Sequence, residues 1–246
     1  HRFWVPIDIV TAASPDAVDS HRAPVDVIRS ASRQNTAGTF DWTATYRTDA
    51  DTNVSIRSGL HLEEPFRSWH GGASATHAWN DGSTLVSGTL LAVFDWFDQF
   101  DIQGFRSGRT NRSNTTGTLG VTQILTPTTL VDLNYGLTVQ EGQLGNTWNV
   151  VPIATGKIGP ELLPTERVRQ AFVARASQFL PWNGALHLYY RFYRDDWGLT
   201  AHSMEAELLQ RLFPTVYVGA TYRFHTQTGA DFFTTLAGSD QPLRTA

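Results

Sequence analysis

The stretch AHSMEAE at 201–207 gathers side chains that could do chemistry: His202, Ser203, Glu205 and Glu207. A serine made nucleophilic by a histidine needs both side chains on one face, within hydrogen-bond reach. Adjacent residues of a strand point to opposite faces. His202 and Ser203 therefore work together only across a bulge, and no hydrolase centre is expected here. Just upstream, RDDW supplies two carboxylates, Asp195 and Asp196. They could pair with His202 as an acid–base couple, help hold Ca²⁺, or tie down a turn. Calcium takes six to eight oxygen ligands, more than the neighbourhood offers, so the expected role is a turn closed by carboxylate-to-backbone hydrogen bonds. His61, His187 and His225 fall on separate segments with no i,i+2 pairing, which gives no metal or haem ligand set.

A second group is defined by sign and alternation. Arg57, Arg175, Tyr189, Arg191, Glu205, Glu207 and Arg223 occupy the polar positions of alternating segments. If the DDWG turn sets Arg191 opposite Ser203, Glu205 becomes its diagonal neighbour, within reach of a long side chain. The expected role is a structural network, in which losing one partner of a buried pair costs about 3–5 kcal/mol. The alternative is a filter that selects ions or solutes.

The elements that must position these residues are strands. In 186–193, Leu186, Leu188, Tyr190 and Phe192 alternate with His187, Tyr189, Arg191 and Tyr193. In 215–225, Val216, Val218, Ala220, Tyr222 and Phe224 alternate with Thr221, Arg223 and His225. Period-two alternation predicts ten strands, near 36–47, 54–62, 70–79, 83–95, 115–124, 131–139, 167–179, 185–194, 200–210 and 215–227. TDADTN, NDGS, TPTT, PWNG and LFPT read as short turns at every second junction, and 63–69, 96–113 and 141–166 as longer loops. Strands of this length, apolar on one side and charged on the other, suit a sheet that meets lipid outside and water inside. Aromatic pairs such as Phe40/Trp42 and Tyr190/Phe192 are expected at lipid and headgroup level. The predicted fold class is all-β: an antiparallel transmembrane β-barrel of the outer-membrane type. It has at least ten strands here, and twelve to sixteen in the full protein.

Composition agrees. Charged residues make up 17% of the 246, below the roughly 25% of soluble domains. The longest uninterrupted apolar stretch is LLAVF at 90–94, far short of a membrane-spanning helix. A net charge of −4 offers no footprint for nucleic acid. The absence of cysteine excludes disulfides, Cys-ligated metals and c-type haem attachment. No cofactor or metal is expected on this chain.

The N-terminal segment, 1–35, carries an internal echo, DIVTAAS at 8–14 and DVIRSAS at 26–32. Asp8 with Ser14, and Asp26 with Ser32, read as a repeated strand-to-turn device; a paired docking or ion-binding loop is the alternative. The chain is otherwise expected to be one barrel domain over 1–246, lacking strands at both ends.

The echo, TQILTPTT at 122–129, YYRFYRDDWGLTAH at 189–202 and RFHTQTGADFF at 223–233 together resemble the bacterial family catalogued as domain of unknown function 3570. The motifs run in the family's order over nearly the whole chain. They depart from its pattern at Phe192, Phe224 and Gly229. The resemblance implies a Gram-negative outer-membrane barrel with no established activity. Its members are often encoded beside a small lipoprotein, a thioredoxin-like protein and a flavin transferase. The expected function is a membrane anchor or scaffold for an envelope assembly, with a lipoprotein or redox protein as partner alongside the lipid bilayer. A stand-alone porin-like channel for small solutes is the first alternative and a barrel hydrolase the second. Loop 141–166 is the expected partner surface.

Overall fold

The computed structural model describes residues 36–63, 66–100, 105–145, 150–153, 156–234, 243 and 245. The chain divides into two units, His1–Ala37 and Gly38–Ala246, and the sheet is built by the second. The echo residues Asp8, Ser14, Asp26 and Ser32 lie outside the described residues. Among those described there are twelve strands and no α-helix. In order they are β1 (Ala37–Arg47), β2 (Thr52–Glu63), β3 (Phe66–Trp79), β4 (Thr84–Phe100), β5 (Arg106–Thr126), β6 (Thr129–Gly142), β7 (Val150–Ile153), β8 (Lys157–Pro160), β9 (Glu166–Leu180), β10 (Gly184–Asp195), β11 (Thr200–Phe213) and β12 (Val216–Gln227).

Ten of them form one sheet in the order β1-β2-β3-β4-β5-β6-β9-β10-β11-β12, each hydrogen-bonded to the strand beside it. Every register given for this sheet is antiparallel. Between β6 and β9 the chain makes a separate two-stranded hairpin, β7–β8. The sheet is open, with β1 and β12 as its edges, and both edge strands are exposed at every position.

Register sorts the side chains into two faces. One cross-strand row reads Val86, Val121, Leu133, Ala174, Tyr190, Met204, Phe224. The next residue along each strand belongs to the opposite face, where a row reads Thr122, Asp132, Arg175, Tyr189, Glu205, Arg223. On the apolar face large side chains stand open: Leu119 is 66% exposed, Leu90 57% and Met204 50%. The charged residues sharing that face are Arg67, Asp98, Arg109, Glu141, Glu166 and Arg194, and all sit at one end of the strands. At the other end it closes on Gln123, Gln178 and Gln210. On β6 the apolar positions run from Val131 to Val139 without a charge, about the nine to eleven residues that a tilted strand needs to cross hydrocarbon. A monomer in water rarely exposes a contiguous apolar patch beyond a few hundred Å². The fold is of the expected antiparallel β-barrel class, here an open sheet of ten strands, with the aromatics Phe40, Trp42, Tyr190 and Phe192 on its apolar side.

The junctions differ from expectation. Segments 63–69 and 96–113 are not long loops: β3 begins at Phe66, β4 continues to Phe100 and the 21-residue β5 begins at Arg106. The Arg-, Ser- and Asn-rich start of β5 reads as loop by propensity. Cross-strand pairing overrides that: Asp98 accepts from Arg106 at 2.7 Å, and Asp95 accepts from Arg112 at 2.8 Å. Only the 143–165 excursion, which holds β7 and β8, is a long connection. The predicted short turns are present. In NDGS, Asn80 and Asp81 adopt φ of 52° and 55° before Gly82 at 84°, the left-handed region such residues tolerate best. At the β1–β2 turn Asp49 Oδ1 accepts the Asp51 N–H at 2.9 Å. That backbone hydrogen bond, followed by one from the Thr52 side chain, holds the Asp49 carboxyl below its usual range.

One close approach locks the first edge. Asp41 on β1 reaches across β2 to His70 Nε2 on β3 at 3.0 Å. It passes directly over Gly59, where a Cβ would lie 2.1 Å from Asp41 Oδ1 and 2.5 Å from His70 Cε1. Gly59→Ala should therefore break the pair and lower stability by about 1–3 kcal/mol, the cost of overpacking. Chemical denaturation should show that adding Asp41→Ala to Gly59→Ala costs less than the two separate losses combined, because they share one contact.

Candidate functional site

The polar face of β9–β12 is where charged side chains concentrate. Its anchor is Asp195, the last residue of β10, whose side chain is 0% exposed. Oδ2 accepts from Arg167 Nε at 3.0 Å, from Arg167 Nη2 and from Tyr193 Oη at 2.8 Å. Oδ1 accepts the backbone N–H groups of Trp197 at 3.1 Å and Leu199 at 3.0 Å. Five donors saturate this carboxylate. A buried charge needs such satisfaction, because unpaired it would cost several kcal/mol. Asp196 works on the backbone: its Oδ1 accepts the Val168 N–H at 2.9 Å and its own N–H donates to Val168 O at 3.1 Å. Trp197 donates its indole N–H to Glu166 O at 2.9 Å and lies under the Arg167 guanidinium, 4.2 Å from its ring centroid. Gly198, at φ 81°, completes the turn where a Cβ would collide with Asp231. The RDDWG segment thus ties the start of β9 to the β10–β11 turn and to residues 228–233. Asp195 and Asp196 sit in a hydrogen-bonded turn, with the acidic oxygens of Asp195 taken up by the chain itself.

Beside this corner a cleft of about 230 Å³ opens on the same face, lined by Arg167, Arg169, Arg191, Tyr193, Ser203, His225 and Gln227 among others. Tyr193 Oη accepts from Arg169 Nε at 3.1 Å and from Arg167 Nη2 at 3.2 Å. The Arg169 and Arg191 guanidinium carbons stand 5.5 and 5.6 Å from the Tyr193 ring centroid. Ser203, buried at 7% exposure, shares a 2.8 Å hydrogen bond with His225 Nδ1. His225 Nε2 lies 3.3 Å from Gln227 Oε1.

All seven residues of the expected charge network occupy the polar face, but they do not form one network. Arg175 pairs with Asp132 at 2.8 Å and stacks on Tyr189 at 5.6 Å. Glu205 faces Arg223 at 4.0 Å. Arg191 does stand opposite Ser203, yet it lies against Tyr193 rather than reaching diagonally to Glu205. Glu207 stands opposite His187 and Thr221. Arg57 is remote on β2, opposite Gly72. His202 and Ser203 point to opposite faces as alternation requires. His202 is on the apolar side, hydrogen-bonded to Tyr190 Oη at 2.9 Å and 5.2 Å from the Phe192 ring. His61, His187 and His225 are on the polar face, each hydrogen-bonded through Nδ1 to a Ser or Thr hydroxyl. Among the described residues no group of three or more His, Asp or Glu side chains could hold a metal ion. Sequence reasoning missed Arg167, Arg169 and Tyr193. Their signal was present, as two arginines at i,i+2 on the strand preceding RFYRDD.

The sequence model of the family described as "Protein of unknown function (DUF3570)" matches residues 19–245. No curated protein matches the chain. Among solved structures, the crystal structure of the β domain of the Bordetella autotransporter BrkA aligns with a TM-score of 0.37 and 10% identity. It covers 78% of this chain and 84% of that one.

The hub at Asp195 makes a sharp prediction. Asp195→Ala strands the Arg167 charge and two backbone donors, and should lower stability by about 3–5 kcal/mol. Asp196→Ala, which removes one exposed side-chain acceptor, should cost about 1 kcal/mol. Unfolding midpoints of the detergent-solubilised protein compare the two, and equal losses would contradict the assignment of Asp195 as the anchor.

Proposed function

We propose that this chain, which belongs to the DUF3570 family, is a β-barrel of the Gram-negative outer membrane that anchors an envelope assembly. The observation that carries the reading is the charge-free apolar band running across the sheet, with Arg and acidic residues confined to one end and glutamines closing the other. Apolar side chains on such a band meet acyl chains, and the strand ladder satisfies backbone groups that hydrocarbon cannot. Anchoring is favoured over conduction by the polar face of β9–β12. There Arg167 of β9 reaches across to Tyr193 and Asp195 on β10, and separately Arg175 of β9 pairs with Asp132 on β6 and lies against Tyr189 on β10, where a wide aqueous pore needs only solvated charges. The partner surface is the 143–165 excursion with its own hairpin β7–β8, in which Val151 is 1% exposed. A lipoprotein or redox protein of the envelope is the class of partner proposed for such an anchor.

A channel for small solutes is the second reading, favoured by the basic cleft on the polar face.

Two measurements bear on this. Leu133→Arg, at mid-band on the apolar face, should destabilise the protein folded in liposomes by about 2–4 kcal/mol. Thr116→Arg on the polar face should cost much less, and equal costs would remove the lipid-facing assignment. In planar bilayers the anchor should be electrically quiet, and deletion of 143–165 should release its partner from native membranes. Steady conductance altered by Arg175→Ala would instead make it a channel.

A further inference from the structure

Several arginines of this sheet meet an acid, while others, such as Arg57 and Arg211, stand singly without an Asp or Glu within 4.0 Å among the described residues. Arg112 has Asp95, Arg106 and Arg109 share Asp98, Arg175 has Asp132, Arg167 has Asp195 and Arg223 has Glu205. The cleft around Tyr193 departs from this pattern. Arg169 and Arg191 flank the same tyrosine ring, and among the described residues neither has an Asp or Glu within 4.0 Å. The nearby carboxylate, Asp195, is consumed by Arg167, Tyr193 and two backbone amides. Three guanidinium groups therefore face one carboxylate, a surplus of two positive charges around a single ring.

The ring does not neutralise them. A cation–π contact at a partly open site contributes only about 0.5–1 kcal/mol. Arg191 makes no hydrogen bond within the described chain beyond its strand ladder, so its fork of donors is free to bind. Opposite it stands Ser203, whose buried hydroxyl is held by His225 Nδ1 at 2.8 Å, a neutral polar wall beside the arginines. At about 230 Å³ the cleft holds several times the ~30 Å³ share of a water molecule, which is room for a small anion with waters. Planar guanidinium forks match tetrahedral oxyanions through paired hydrogen bonds, and a doubly charged anion balances the surplus.

We infer that this cleft is a binding site for a dianionic phosphate group, gripped by Arg169 and Arg191 with Ser203 and Tyr193 as its neutral wall. The assignment uses only side chains of one face of β9–β12, and holds whether the barrel anchors or conducts.

The test is calorimetric titration of the full chain, in phosphate-free maltoside detergent at low salt, with inorganic phosphate and separately with phosphatidic acid micelles. Saturable binding of inorganic phosphate is expected, weakened about tenfold or more by Arg191→Gln, the scale of one lost charge-assisted hydrogen bond. Arg191→Gln leaves the internal hydrogen bonds in place. Arg169→Gln should act in the same direction, while Arg57→Gln, the isolated arginine on β2, should leave binding unchanged. Binding of phosphatidic acid alone, with the same arginine dependence, supports the site with a lipid headgroup as its source. No binding of either probe, binding indifferent to Arg169 and Arg191, or an equal loss with Arg57→Gln overturns it.

Discussion

The antiparallel ladder from β2 to β12 is the constraint on which everything else in this protein depends. Because side chains alternate strictly along a strand, one register decides for every residue which of two environments it meets, and a slip of one would exchange them all. The register is pinned at several places by side chains rather than by backbone alone. Asp132 binds Arg175 across β6 and β9, and Asp195 binds Arg167 across β9 and β10. Ser177 meets His187 and Ser203 meets His225 at directly paired positions. Each contact is satisfied in one register only, so the polar face does for specificity what a packed core does in a soluble domain.

That arrangement explains why the fold was so legible in the sequence. Leu186, Leu188, Tyr190 and Phe192 against His187, Tyr189 and Arg191 could be sorted by period alone, and the structure keeps that sorting. Strand ends were less legible. The start of β5, RSGRTNRSN, has the composition of a loop and is strand because Asp95 and Asp98 lie opposite its arginines. No local pattern announces such a partner. The candidate site was legible in part. Alternation gave the face of Arg191 and Glu205, but not which cation each acid would choose. That choice depends on reach and on competing partners: Asp195 takes Arg167, leaving Arg191 to the Tyr193 ring.

The RDDWG corner shows how a polar hub can replace apolar packing at the end of a sheet. Asp195 has almost no contact with water, yet it joins three backbone segments through five hydrogen bonds. The indole of Trp197 lies beside it, under Arg167 and edge-on to Phe232. A low local dielectric strengthens each of these bonds and raises the cost of leaving one unmade. The corner is therefore cooperative: its members are held jointly, and the strand ends it ties are fixed with it.

Next to that saturated corner lies its converse. Tyr193 is shared by both, donating to Asp195 and receiving Arg169 on the same oxygen, while its ring carries Arg191. A tyrosine so used places a guanidinium group on either side of one ring, where the described residues supply no second acid. Elsewhere in the sheet arginines meet an acid at Asp95, Asp98, Asp132 and Glu205, whereas this cleft gathers several around one carboxylate. Where positive charge is left unbalanced beside a fully satisfied carboxylate, the balancing negative charge comes from outside the chain, as solvent counter-ion or as ligand. The fixed wall of Ser203 and His225 distinguishes the two, since a diffuse counter-ion needs no shaped cleft.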